Sequence, residues 1–159
     1  MKIAGDAETG KTASDRIASG AVLLRKNAKL SLLQAVPLFA GCSKRQLEQI
    51  ASIADELDVR EGATLTEEGQ RGREFLVIVS GTAEVRNGST LLATVGDGDF
   101  LGEIALVLDV PRSATVKATS PVRLLVIERR AFKELLQNVP EIQTKVLEAL
   151  AARLAHESL

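Results

Sequence analysis

Short extended runs with a period of about two occupy the chain from about residue 57 to residue 127, and they restrict the fold more than any other feature. Turn-forming residues separate these runs, and the pair Asn87-Gly88 is the clearest signal among them. Asn-Gly favours a type I′ hairpin turn, because both central residues of that turn need a positive φ. Many short strands joined by tight turns predict a small antiparallel barrel or roll. The predicted strands span residues 57–60, 63–66, 75–80, 83–86, 91–95, 114–118 and 122–127.

Helical periodicity precedes this region. Residues 14–35 place their apolar side chains on one stripe, and Ser43 is expected to cap a second helix that runs to Ala54. Between the two segments, Pro-Leu-Phe at 37–39 predicts a tight corner that turns its Leu and Phe inward.

Helical periodicity returns after residue 128. One helix is predicted up to Val139, and Pro140 suits the first turn of the next helix, which runs to near the C-terminus. A helical turn is also expected near 103–108, inside the strand region. The predicted fold class is therefore α+β: an antiparallel, jelly-roll-like β-roll of about eight strands, flanked by N- and C-terminal helices. We divide the chain into an N-terminal tail and helical arm (1–31) and one domain (32–159), with the roll at about 56–128 and the C-terminal helices at about 129–156.

The composition disfavours several classes of partner. A net charge of -1 over 159 residues gives no general attraction to nucleic acid or to an acidic membrane surface. The chain has no Trp or Tyr and only four Phe, which argues against stacking on nucleic acid bases. Its one cysteine, Cys42, cannot form an internal disulfide, fits a reducing compartment and is expected to be a small buried residue. No apolar run reaches the roughly 18 residues of a membrane helix, and no signal peptide is recognised, so a cytoplasmic location is expected.

Residues 5–12 match the phosphate-binding pattern GxxxxGK[ST], with Lys11 and Thr12 at its end. That loop works between a buried strand and a helix, and here only four residues precede it. We therefore interpret the match as part of a polar N-terminal tail. A P-loop nucleotidase that uses Lys11 and Thr12 is the least favoured of the functional alternatives.

Residues 99–116 contain the most informative charged pair, because Glu103 and Arg112 lie nine positions apart in a largely apolar stretch. A buried charge is costly unless it meets a partner. We interpret the stretch as a pocket for a small anionic sugar phosphate; a structural ion pair between the two residues is the alternative. The single histidine, His156, and the lack of Ser/His/Asp, Cys/His or metal-ligand groupings predict no catalytic residue, no metal and no cofactor.

Four segments of the chain resemble the cyclic nucleotide-binding domain family, and the resemblance extends over residues 32–154. The first is V-P-L-F at 36–39, and the last is V-R-L-L-V-I-E-R-R-A-F at 122–132. Between them lie the roll segments E-G-A-T-L at 61–65, Gly69 and F-L-V-I-V-S-G at 75–81. The most specific segment resembles the family's phosphate-binding cassette, with G-E-I-A-L at 102–106 and P-R-S-A-T-V at 111–116. By this resemblance, the domain at 32–159 is identified as a cyclic nucleotide-binding domain.

The resemblance implies a site for cAMP or cGMP. The family's arginine at the position of Arg112 holds an exocyclic phosphate oxygen, which suits the two fixed donors of a guanidinium. Glu103 matches the residue that accepts from the ribose 2′-hydroxyl, and an ionised carboxylate also repels a second phosphate. By the same resemblance, a serine at position 113 slightly favours cAMP over cGMP as the expected ligand. The implied ligand-binding residues, some acting through backbone N–H groups, are Gly102, Glu103, Ile104, Ala105, Arg112 and Ser113.

The leading hypothesis is a sensor, not an enzyme, in which cyclic nucleotide binding moves the flanking helices. A ligand-free roll used for dimerisation or partner docking is the alternative. Besides the nucleotide, the expected partner is a second copy of the chain or an effector protein contacted through the flanking helices. The helix after residue 140 is the candidate lid over the base, although each of its apolar residues can instead be core or dimer seam. The candidate lid residues are Val146, Leu147, Leu150 and Leu154.

Overall fold

The computed structural model describes residues 25–157, with the side chains of 153, 154, 156 and 157 left out of the description. The helices are α1 (Lys26–Gln34), α2 (Lys44–Ala51), α3 (Arg129–Asn138) and α4 (Pro140–Glu157), with short 3₁₀ helices at Pro37–Phe39 and Glu103–Leu106. The strands are β1 (Ala54–Val59), β2 (Thr64–Thr66), β3 (Glu74–Ser80), β4 (Ala83–Asn87), β5 (Thr90–Val95), β6 (Phe100–Leu101), β7 (Thr115–Ala118) and β8 (Val122–Glu128). Within residues 25–157, none of the helices combines the length and the apolar character that a bilayer crossing requires.

The eight strands form two four-stranded antiparallel sheets, with the strand orders β1-β8-β3-β6 and β2-β7-β4-β5. Helices α1 and α2 precede the sheets, and α3 and α4 follow them. The predicted α+β fold, a β-roll flanked by helices, is therefore confirmed. The predicted division at residue 31/32 falls inside α1 and stays a prediction.

Strands β3 and β8 separate two apolar cores. Side chains alternate between the faces of a strand, so Leu76 and Ile78 of β3 point into the roll while Phe75 and Val77 point toward the helices. Because both faces are covered, these strands are apolar almost throughout, as the fully buried side chains of Phe75 to Ile78 show. The core that contains Phe75 and Val77 also includes residues of all four helices, and we call it the helical core.

The four phenylalanines of the chain form a continuous series of ring contacts through the helical core. Phe100 contacts Phe75 at a centroid distance of 6.0 Å, and Phe75 contacts Phe39 edge-on at 6.1 Å. Phe39 in turn contacts Phe132 of α3 at 5.9 Å. The 3₁₀ corner at Pro37–Phe39 thus turns its apolar side chains inward, as the sequence predicted.

The N-terminus of α2 has the predicted cap, but the helix ends earlier than predicted. The Ser43 side chain accepts a hydrogen bond from the Gln46 N–H at 3.2 Å, and the Gln46 side chain accepts from the Ser43 N–H at 2.9 Å. The helix ends at Ala51 rather than Ala54, because Ala54 already pairs with Ile127 in the β1–β8 ladder. Cys42 is buried, as expected, and burial raises the pKa of its thiol.

The hairpin between β4 and β5 is confirmed, but its predicted turn type is wrong. Asn87 pairs with Thr90, so the central residues are Gly88 and Ser89 rather than Asn87 and Gly88. Gly88 has φ 59°, and no residue other than glycine has a positive φ within the described chain. Only one of the two central residues therefore has the positive φ that a type I′ turn needs at both.

Two N-terminal predictions lie outside the described residues. They are the helical stripe over 14–24 and the match to the phosphate-binding pattern at 5–12.

Candidate functional site

A cavity of about 390 Å3 opens beside the 3₁₀ helix Glu103–Leu106. All six residues of the predicted ligand-binding set line it, although they come from two segments separated by a loop. The wall consists of Gly102, Glu103, Ile104, Ala105, Arg112 and Ser113, together with Phe100, Val110 and Pro111. The cavity is large enough for a small ligand by the usual size of such sites.

Backbone hydrogen bonds fix the segment that carries Arg112. The Arg112 N–H donates to the carbonyl oxygen of Gln70 at 2.7 Å, and the Arg112 carbonyl accepts from the Gly69 N–H at 2.9 Å. The Gly72 N–H donates to the Val110 carbonyl at 3.4 Å. The loop between β2 and β3 therefore holds the cavity wall in register, as the pairing of two short antiparallel segments does in a sheet.

Arg112 is a buried cation, with 9% of its surface exposed. Its Nη2 donates to the backbone carbonyl of Glu74 at 2.5 Å, while its buried Nε has no hydrogen-bond partner among the described residues. Burial lowers the pKa of Arg112 and the Glu74 carboxylate opposes that shift, yet a guanidinium stays charged at neutral pH. A buried charged donor with unused capacity suits an anionic acceptor, because leaving such a donor unsatisfied is costly.

Glu103 begins the 3₁₀ helix and is 6% exposed. Gly102 precedes it with φ 77°, a left-handed conformation that glycine adopts without strain and that starts the turn. The Ala105 N–H donates to the Gly102 carbonyl at 2.9 Å, which closes the turn. Glu103 thus places a buried carboxylate in the wall that also contains Arg112.

Two of the apolar side chains that line the cavity are exposed to solvent. Ile104 is 42% exposed and Val110 is 40% exposed. Ser113 is also exposed, and its carbonyl accepts from the Asn87 side-chain amide at 3.3 Å. An apolar rim of this kind suits the contact of a flat organic group or of another apolar surface.

The three candidate lid residues whose side chains are described do not line the cavity. Val146 is buried in the helical core, and Leu150 packs against the same core. Leu147 is exposed, and the side chain of Leu154 lies outside the described part of the chain. Neither Val146, Leu147 nor Leu150 lines the cavity, so the lid stays a prediction that requires α4 to change position.

Two residues beside the cavity, Glu74 and Asp109, make contacts that the sequence did not predict. The Glu74 carbonyl accepts from Arg112 through its backbone, for which any residue type would serve. Asp109 makes an ion pair of 3.0 Å with Arg71 and one of 3.6 Å with Arg129 at the start of α3. The hydrogen bond from Arg71 is the main cause that lowers the pKa of Asp109.

A larger cleft of about 740 Å3 lies between the start of β3 and α3. Four cationic and four acidic side chains line it, so it gives no net preference for an anion or a cation. Unlike the smaller cavity, it contains none of the predicted ligand-binding residues. Over residues 25–157, the His, Cys, Asp and Glu side chains form no group of three or more suited to a metal ion.

Comparison with known proteins assigns the same region to one family. The family model for the cyclic nucleotide-binding domain matches residues 56–139, which is more than half of the chain. A cAMP-dependent protein kinase regulatory subunit from Mycosarcoma maydis is 36% identical over 141 residues, covering 78% of this chain and 26% of the relative. The chain spans about a quarter to a third of the length of the curated relatives it matches.

Solved structures share the fold. The N-terminal domain of a transcriptional regulator from Streptomyces coelicolor superposes with a TM-score of 0.75 at 30% identity, covering 79% of this chain and 94% of that one. The cAMP-bound PfPKA-R superposes with a TM-score of 0.61 at 25% identity, covering 79% of this chain and 47% of that one. The roll, the cavity wall that contains Glu103 and Arg112, and the family match over residues 56–139 together show that the chain belongs to the cyclic nucleotide-binding domain family.

Proposed function

We propose that this chain is a sensor for a cyclic nucleotide, with cAMP favoured over cGMP, and that binding shifts the position of its flanking helices. The observation that carries the proposal is that a buried guanidinium and a buried carboxylate line one cavity, at Arg112 and Glu103. The family membership and the regulatory subunits among its relatives support a binding role rather than a catalytic one.

The two charged side chains suit the two ends of a ribose cyclic phosphate. The phosphate carries one negative charge, and Arg112 can stabilise it by charge-assisted hydrogen bonds, each of which contributes about 1.5–3 kcal/mol. The 2′-hydroxyl is a donor, and Glu103 is an acceptor when ionised. The same carboxylate repels the additional charges of ATP, so the cavity favours a cyclic monophosphate over a polyphosphate.

The cavity wall is continuous with the helical core, which supports a coupling between ligand and helices. Leu106, at the end of the 3₁₀ helix, is fully buried in the same cluster as Phe132 of α3 and Val146 of α4. Asp109 also contacts Arg129 at the start of α3. A ligand that binds one arrangement of the cavity wall better than another shifts the helices by that difference in affinity.

A thermal-unfolding panel tests this function most economically. We expect cAMP, and to a smaller extent cGMP, to raise the unfolding temperature, because a ligand that binds only the folded state stabilises it by mass action. ATP and a cyclic dinucleotide should give no shift, because each carries more phosphate charge than the cavity can neutralise. If none of the four nucleotides raises the unfolding temperature, the chain is a ligand-free roll and the proposal is wrong.

A further inference from the structure

We propose that Gly72 positions Arg112 for the ligand, because the missing side chain at residue 72 provides the space that the guanidinium fills. This inference rests on the proposed function and adds a residue outside the predicted ligand-binding set. Gly72 lies in the loop between β2 and β3 and does not line the cavity. Its effect on the ligand would act entirely through Arg112.

The space at Gly72 is occupied by the Arg112 side chain. A Cβ atom built on Gly72 would lie 2.5 Å from Nε, 2.7 Å from Cζ and 2.8 Å from Cδ of Arg112. Favourable contacts between such atoms need about 3.5–4.0 Å. An alanine at this position and the observed Arg112 side chain therefore cannot coexist.

The Gly72 backbone itself would accept an alanine. Gly72 is not among the glycines with a positive φ, whereas Gly102 has φ 77°. A Cβ on Gly102 would overlap Arg112 Nη1, so both glycines leave space for the guanidinium. At Gly72 the side-chain collision can be separated from backbone strain, and at Gly102 it cannot.

The collision must be relieved by the side chain of Arg112, because its backbone is fixed. Hydrogen bonds to Gln70 and Gly69 hold that backbone on the loop that carries Gly72 itself. The guanidinium would have to leave the space beside Gly72 and lose the hydrogen bond from Nη2 to the Glu74 carbonyl. Because bidentate binding of phosphate depends on guanidinium geometry, a displaced Arg112 binds the ligand more weakly.

A double-mutant cycle between Gly72→Ala and Arg112→Ala, with cAMP titrated by calorimetry, tests the proposal. We expect Gly72→Ala alone to weaken binding by about tenfold or more, and to have less than about a twofold effect when Arg112 is already alanine. Gly41→Ala is the matched control, because a Cβ at Gly41 would meet nothing within 4 Å and its φ is not positive. Equal weakening by Gly72→Ala in both backgrounds, or unchanged binding in the single variant, would overturn the proposal.

Thermal unfolding of the same four proteins without ligand distinguishes this inference from the proposed function. Gly72→Ala should lower the unfolding temperature when Arg112 is present and leave it unchanged in the Arg112→Ala background. That result, together with a wild-type protein that binds no cyclic nucleotide, would refute the function and retain the steric coupling. If Gly72→Ala unfolds the protein in both backgrounds, the glycine serves the backbone and the inference is wrong.

Discussion

Arg112 shows how one side chain can be both costly to bury and useful. The residue is 9% exposed, with Nη2 bonded to a carbonyl and the buried Nε without a partner in the described chain. Burying a charge without full hydrogen bonding destabilises a fold. The cost is tolerable if an anion completes the bonding in the functional state, which is the role that we propose for the cyclic phosphate.

Glu103 should determine recognition of the ribose hydroxyl. We expect Glu103→Gln to weaken cAMP binding by about tenfold, because it replaces a charged acceptor with a neutral one. Binding of 2′-deoxy-cAMP should be similar in the wild type and the variant, since the hydroxyl is absent. Competition titrations with the two nucleotides measure the difference, and Glu61→Gln, at an exposed turn, is the control. A variant that still distinguishes the two nucleotides as the wild type does would contradict this role.

The sequence predicted six of the nine residues that line the cavity, but not the contacts that fix them. Glu103 and Arg112 were identifiable because charged residues are unusual in an apolar stretch and because the surrounding segment resembles a known cassette. The Glu74 carbonyl and the clearance at Gly72 depend on how the loop 69–72 lies against residues 110–112. A backbone acceptor leaves no trace in residue type, so only the three-dimensional arrangement reveals it.

At the scale of elements, the 3₁₀ helix Glu103–Leu106 belongs to two parts of the molecule. Its first residues line the cavity, and its last residue, Leu106, is buried against the helices. A short helix cannot move at one end without moving at the other, because its turn is closed by the bond from Ala105 to Gly102. The element therefore connects the cavity wall to the helical core.

Leu106→Ala should destabilise the protein by about 2–5 kcal/mol, because it leaves a cavity in the helical core. Leu108→Ala is the matched control from the same segment; Leu108 is 53% exposed, and its truncation should change stability by less than about 0.5 kcal/mol. Urea unfolding of both variants measures the two values. Similar stability losses in the two variants would show that the cavity wall is not part of the helical core.

Helix α4 provides the test of the lid hypothesis. If α4 moves over the ligand, backbone amides at 140–154 should exchange more slowly with solvent when cAMP is bound, because contacts with the base reduce local opening. Hydrogen exchange of the wild-type protein with and without cAMP measures this, and strand β5, none of whose residues lines the cavity, serves as the internal reference. Unchanged exchange at 140–154 would show that α4 is not the lid.

Helices and strands that follow from local residue preferences were predicted correctly. Element boundaries that depend on strand pairing were not. The cap at Ser43 and the strands β3, β4 and β8 follow from local residue preferences, and their positions were predicted to within about two residues. Strand β6 was missed, because two residues give no periodicity and its pairing with β3 supplies its only definition. The end of α2 was misplaced for a related reason, since the β1–β8 ladder captures Ala54.

At the scale of the whole molecule, the chain combines a roll with a separate helical core, and the two share β3 and β8. Once β3 and β8 are predicted as strands, strand geometry implies that their successive side chains alternate between the two cores. The packing of α4 against the helical core, with Val146 inside it and Leu147 exposed, depends on distant contacts that no local pattern encodes. The proposed output through the flanking helices, to a second copy or an effector protein, stays a prediction, as does the cytoplasmic location.

The central claim is that Arg112 binds the phosphate of a cyclic nucleotide, and calorimetric titration of cAMP into three proteins tests it most directly. We predict a dissociation constant in the micromolar range or below for the wild type, and about 10- to 100-fold weaker binding for Arg112→Ala, because the charge-assisted bonds are lost. Arg60→Ala, which removes an exposed arginine outside the cavity, should bind as the wild type does. Equal affinities in the wild type and Arg112→Ala, or no binding in the wild type, would contradict the account.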